Sequence, residues 1–307
     1  MLFSFFNRDP KPYDTGYLPE YDGHNIYYQQ FGNPDGTPIL SFHGGPGGCS
    51  KAKHASHFDL KKHRVILFDQ RGCGLSHSKD IFRKNKTKYL IIDAKRVLEH
   101  LKIEGAVIIA GGSWGSTLAL LFAEKYPERV SKLVLNSIFL ADETANNWMA
   151  SDCRLFYPDF IDRFRAEAGK KNIRPHFGML MQSESKEDLE TALKSYGNFE
   201  RLLGSVRPVL PEGPFTEEDI KYPKMFFHYD FHNYFIQKNQ ILHLIKKIEH
   251  IPTIIFHNRL DMSCPLCGAW DLHKAMPNSE LHIIPSHGHG SKLMFKTMKE
   301  KLKDFLK

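Results

Sequence analysis

The stretch that most limits what this chain can fold into is Ala106-Val-Ile-Ile-Ala-Gly-Gly-Ser113-Trp-Gly-Ser-Thr117. An apolar run passes into Gly111-Gly-Ser-Trp-Gly115, which matches G-x-S-x-G, and a helical pattern begins at once. A serine on so sharp a strand-to-helix turn sits in strained backbone, and small neighbours two residues before and after it avoid a clash. Its hydroxyl then points out of the sheet, and the helix N-terminus favours negative charge developing there. The spacing predicts a nucleophilic Ser113 rather than an incidental serine in a glycine turn.

A serine hydroxyl is a weak nucleophile until a base takes its proton and a third group holds the base. In a sheet of this kind the expected chain order is serine, acid, histidine. Asp261 follows the apolar run at 253–257 and supplies the acid. His287 and His289 both follow the last such run, at 281–285. His289 is the better base, because Gly288 and Gly290 on either side let it approach the serine closely. The developing oxyanion needs two backbone N–H donors. Trp114, directly after the nucleophile, is one, and Gly45 in Ser41-Phe-His-Gly-Gly-Pro-Gly-Gly48 is the other. This loop lacks the Lys-Ser/Thr ending of a phosphate loop, which argues against nucleotide binding.

Short apolar runs at 26–31, 38–43, 64–68, 106–110, 132–138, 253–257 and 281–285 alternate with helical patterns, most clearly at 89–101 and 117–126. That alternation predicts an α/β protein with a mostly parallel sheet flanked by helices. Between 141 and 248 strand-like runs disappear, and helical stretches such as 187–203 and 226–244 take over. The expected organisation is a core at 1–140, an inserted helical cap at 141–248, and the rest of the core at 249–307. Insertions at the carboxyl ends of strands lie over the ligand crevice, so the cap is expected to be a lid.

Composition narrows the class. With 41% hydrophobic and 25% charged residues in 307, the chain belongs among globular proteins of one large domain, or one domain with an insertion. No apolar run approaches the roughly 18 residues that span a bilayer. The opening Met1-Leu-Phe-Ser-Phe-Phe6 lacks the basic flank and cleavage site of a signal peptide, so a cytoplasmic location is expected. Five cysteines, an odd count, fit free thiols in a reducing compartment. Cys264-Pro-Leu-Cys267 has metal or redox spacing but no second pair and no clustered histidines, so a zinc site is not expected. The net charge of +7 raises the question of an anionic partner. Six lysines against two acids fall in 291–307, on the polar faces of a terminal amphipathic helix. Residues 184–219 carry nine acids against four bases, which suits a cationic partner instead. No basic stripe is interleaved with stacking aromatics, which argues against nucleic acid.

Several motifs together resemble one family, the prolyl aminopeptidases (proline iminopeptidases) of the α/β-hydrolase fold. They are His43-Gly-Gly-Pro-Gly-Gly48, Asp69-Gln-Arg-Gly-Cys-Gly-Leu-Ser76, Gly111-Gly-Ser-Trp-Gly-Ser-Thr-Leu-Ala-Leu120, and Asp261-Met-Ser-Cys-Pro265 with Gly288-His289. The resemblance implies a cofactor-free serine aminopeptidase acting on peptides with a free N-terminal proline. Ser113 would be its nucleophile, Asp261 the orienting acid and His289 the base. It also implies cap carboxylates that read the substrate ammonium. Glu200 matches the acid of a Trp-Glu pair in which Phe199 replaces tryptophan. The second acid falls at Phe231 in a gapless match, with Asp230 one position earlier as the candidate. An esterase or amidase of different acyl specificity is the alternative on the same scaffold. Dehalogenase and epoxide hydrolase chemistry would need aspartate where Ser113 stands.

Overall fold

The structure is a computed structural model that describes residues 9–205 and 213–307. The opening Met1–Phe6 segment lies outside the described residues, as do Arg207 and Glu212 of the acidic stretch.

The first half of the chain forms β1 (Asp14–Tyr17), β2 (His24–Asn25), β3 (Tyr27–Gly32), β4 (Thr37–Phe42), α1 (Ala52–Ala55), β5 (His63–Phe68) and β6 (His77–Ser78). Then come α2 (Thr87–His100), β7 (Val107–Ser113), α3 (Trp114–Lys125) and β8 (Val130–Ile138). The helices α4 (Glu143–Ala150), α5 (Pro158–Ala168), α6 (Ile173–Gln182), α7 (Lys186–Ala192), α8 (Asn198–Gly204), α9 (Glu217–Phe231) and α10 (Gln240–Leu244) follow. β9 (Thr253–Leu260), α11 (Leu266–Ala275), β10 (Ser279–His287) and α12 (Lys292–Phe305) end the chain.

Eight strands make one sheet in the order β1-β3-β5-β4-β7-β8-β9-β10. Every pairing from β5 to β10 is parallel, and β1 and β3 add an antiparallel edge. The central strands are continuous apolar runs because helices cover both faces. One face packs Leu40, Ile66, Ile109 and Leu135 against α2, α3 and α11. The other packs Ile39, Val65, Ile108 and Val134 against α1 and α12. Met294, Met298 and Leu302 of α12 are buried there, while its lysines lie on the solvent side. Strand order reverses direction between β4 and β7, and in open α/β sheets ligands bind at such a switch point.

Among the described residues, the elements between β8 and β9 are helical, and packing divides them. Residues from Cys153 to Phe227 form a separate apolar cluster around Phe164, Phe177, Tyr196 and Phe199. Tyr229, Tyr234, Ile241, Ile245 and Ile248 instead pack into the sheet's own core. The helical stretch expected at 226–244 is interrupted. α9 begins earlier, where Thr216 and Asp219 form a capping box, and ends at Phe231. Asn233, Tyr234 and Phe235 then take left-handed conformations, with φ of 49°, 57° and 51°.

Candidate active site

Ser113 ends β7 and caps α3 with φ 57° and ψ −129°, a conformation that L-residues rarely adopt. The glycines at minus two and plus two have a concrete reason. A Cβ on Gly115 would lie 2.3 Å from the Phe42 carbonyl oxygen, and one on Gly111 would lie 2.1 Å from that of Gly115. The register pairs Phe42 with Gly111, which brings the loop after β4 alongside the turn. A Cβ on Gly44 would stand 3.4 Å from Ser113 Cβ and 3.9 Å from its Oγ. Gly45 follows at φ 134°, in a conformation suited to glycine. Trp114 is fully buried as the first residue of α3, and its indole N–H donates to Gln70 Oε1 at 3.0 Å. Gln70 also ties down the loop: its side-chain amide donates to the His43 carbonyl at 2.8 Å, and its backbone N–H to His43 Nε2 at 3.0 Å.

Asp261 follows β9 and is 2% exposed. Its Oδ1 accepts the backbone N–H groups of Ser263 and Cys264 at 3.0 and 2.9 Å. His289 Nδ1 lies 2.9 Å from Asp261 Oδ2 and 3.1 Å from Oδ1. Donation from Nδ1 leaves Nε2 as the basic nitrogen. The His289 backbone is held on both sides: its N–H donates to the Gly204 carbonyl at 3.1 Å, and its carbonyl accepts from Ser137 Oγ at 2.7 Å. Burial alone would lower the imidazole below its ordinary value. The Asp261 carboxylate, with Cys264 beside it, outweighs burial and holds His289 well above 6.5. His287 is exposed at the end of β10.

Cys264 is a neighbour that sequence spacing only hinted at, three residues after Asp261. Its buried thiol is close enough to Ser113 and His289 for both to act on its ionisation. Burial raises the thiol above its ordinary value, so it is neutral at pH 7.

The residues expected at the substrate ammonium divide. Glu200 on α8 and His289 line one cavity of about 410 Å³, together with Tyr222 and Ser263. Tyr222 Oη donates to Glu200 Oε1 at 3.1 Å. Burial pushes the Glu200 carboxyl up to about 7, against the opposing pull of Tyr222 and Arg201. Asp230 is not brought to this cavity. It is 3% exposed, and Arg174 Nε meets its Oδ1 and Oδ2 at 3.1 and 3.0 Å. Tyr234 Oη donates to Oδ1 at 2.9 Å. Its charge is therefore taken up inside the protein. Phe199 is fully buried among Tyr157, Phe160 and Phe164, and packs the helical cluster rather than the cavity. Tyr222 was not legible as a site residue, since nothing in the sequence pairs it with Glu200.

Among the described residues, no group of three or more His, Cys, Asp or Glu is arranged to hold a metal ion, and no helix is long and apolar enough to cross a membrane.

The fold defines the class: residues 37–293 match the family model of the alpha/beta hydrolase fold. Solved structures agree at the level of fold. A hydrolase from Pseudomonas aeruginosa superposes with a TM-score of 0.65 at 16% identity, covering 96% of this chain and 98% of that one. A proline iminopeptidase-related protein from Thermus thermophilus gives 0.60 at 20% identity, covering 95% and 96%. Among curated proteins, a proline iminopeptidase of Arabidopsis thaliana is 36% identical over 293 residues, 92% of this chain and 76% of that protein. One from Neisseria gonorrhoeae is 35% identical over 290 residues, 91% of each. The chain belongs to the proline iminopeptidase family of the α/β hydrolases.

Proposed function

We propose that the protein is a serine aminopeptidase that releases an N-terminal proline from peptides through an acyl-enzyme. Ser113 Oγ attacks the carbonyl carbon of the proline residue, and its proton passes to His289 Nε2. The backbone N–H groups of Trp114 and Gly45 receive the oxyanion. Collapse breaks the peptide bond, and the leaving amine takes the proton from His289. Water then attacks the acyl-enzyme, giving its proton to His289, which returns it to Ser113 Oγ as free proline departs. Asp261 holds the imidazole in the required tautomer and stabilises its protonated form. The helices between β8 and β9 act as the cap over the site.

The observation that carries this reading is the cavity shared by Glu200 and His289. A carboxylate there can take the substrate's ammonium in a charge-assisted hydrogen bond while the adjacent carbonyl faces Ser113. Internal pairing of Asp230 favours a second reading. With Asp230 withdrawn from the cavity, an esterase or amidase of different acyl specificity becomes the alternative.

A fluorophosphonate tests the nucleophile. Mass spectrometry after labelling is expected to find one adduct, on Ser113, and none in Ser113→Ala. An adduct on another residue, or equal labelling of the variant, contradicts the assignment.

A further inference from the structure

A second and larger cavity, of about 650 Å³, lies between α1 and α12. Ser113 and His289 line it, as they would for a chamber that receives part of a reacting molecule. Its volume falls in the range of ligand-binding pockets. One wall is a stack of His57 on Phe295, with centroids 4.8 Å apart and planes 12° off parallel.

The charge of this cavity is one-sided. Lys53, Lys296 and Lys299 line it, and no described lining residue is acidic. Lys296 lies 4.0 Å from Glu300, an exposed pair. Among the described residues, Lys53 and Lys299 have no ion-pair partner. His54 and His57 do not add charge at neutral pH. Burial lowers both to about 4, with Lys53 acting on each ring and Lys299 on His57. His289 lines both this cavity and the one that holds Glu200, where Asp219 and Arg201 are the other charged residues.

We infer that this basic cavity receives the C-terminal carboxylate of a short peptide, which is then held at both charged ends. This rests on the aminopeptidase reading: the ammonium sits at Glu200, the scissile carbonyl at Ser113, and the leaving residues run toward Lys53 and Lys299. Beyond the scissile carbonyl a dipeptide has one residue and a tripeptide two, which extend roughly 3–7 Å toward the lysines. The lysines are exposed, so their effect is modest and sensitive to salt.

The test compares kcat/KM for Pro-Gly-Gly and its C-terminal amide at low salt. The wild-type enzyme is expected to favour the free acid by about fivefold. That ratio should fall toward one in Lys53→Gln/Lys299→Gln, persist in Lys53→Arg/Lys299→Arg, and shrink as salt is added. Because each ratio is taken within one variant, a general loss of folding or rate does not alter it. Equal rates for the two peptides in the wild type, or an unchanged ratio in the glutamine variant, overturn the inference while leaving prolyl aminopeptidase activity standing. Failure to cleave either peptide or a prolyl aryl amide overturns both.

Discussion

Glu200 and His289 share one cavity, and each titrates away from its ordinary value for a different reason. Burial leaves Glu200 half-protonated at about pH 7, so in the free enzyme the carboxylate needed for an ammonium is lost as pH falls below that value. His289 is raised by Asp261, and its basic form is lost as pH falls through a pKa above 6.5. The two effects separate by substrate. For prolyl amides, KM is expected to rise as pH falls below about 7, and Glu200→Gln should abolish that dependence. The same variant should weaken kcat/KM for free-amine substrates by about 10–100-fold, the scale of a charged hydrogen bond, with a much smaller effect on an uncharged aryl ester. Steady-state kinetics on the two substrates check this, and equal losses on both contradict the role of Glu200. His289, Asp261 and Ser113 were legible because their chemistry is tied to spacing along the chain. The Cys264 thiol beside Ser113 and the Tyr222 hydroxyl on Glu200 are contacts between distant segments, which one-dimensional spacing does not carry.

At the scale of elements, Asp230 on α9 is held by Arg174 from α6 and by Tyr234 just beyond α9. Removing one partner of a buried ion pair strands the other charge. Arg174→Met is therefore expected to destabilise the protein by about 3–5 kcal/mol, read as a lowered midpoint in denaturant unfolding. An unchanged midpoint would mean that α6 and α9 are not joined through this pair. The parallel strands could be read from sequence because burial on both faces makes them continuous apolar runs. β1, with the sequence Asp-Thr-Gly-Tyr, alternates exposure at a sheet edge and carries no such signal. α9 was misread for a related reason. Its aromatic residues continue past Phe231 into a segment whose left-handed backbone ends the helix. Hydrophobic periodicity records which residues are buried, not where the chain turns.

Over the whole molecule, the net charge of +7 is a poor guide to the partner, because exposed lysines of α12 contribute much of it. Buried charge matters more for stability. Glu124 on α3 is 6% exposed, and burial raises its carboxyl from 4.5 to about 7, against weaker opposition from Gln240 and Lys247. The folded state therefore holds this proton where the unfolded chain has lost it, and stability falls as pH rises from about 4.5 to about 7. Glu124→Gln is expected to raise stability at pH 8 by on the order of 1–3 kcal/mol and to have less effect at pH 4.5. Denaturant unfolding at the two pH values checks it, and equal changes at both would contradict the assignment. One molecule is proposed to couple a serine hydrolase centre to recognition of a free N-terminal proline. The most direct test of this coupling is the rate of cleavage of a prolyl chromogenic amide beside the alanyl amide, the N-blocked prolyl amide and a simple aryl ester. The free prolyl amide is expected to be cleaved, the alanyl amide less so and the blocked one almost not at all. Fast ester cleavage with no prolyl-amide activity would contradict that coupling.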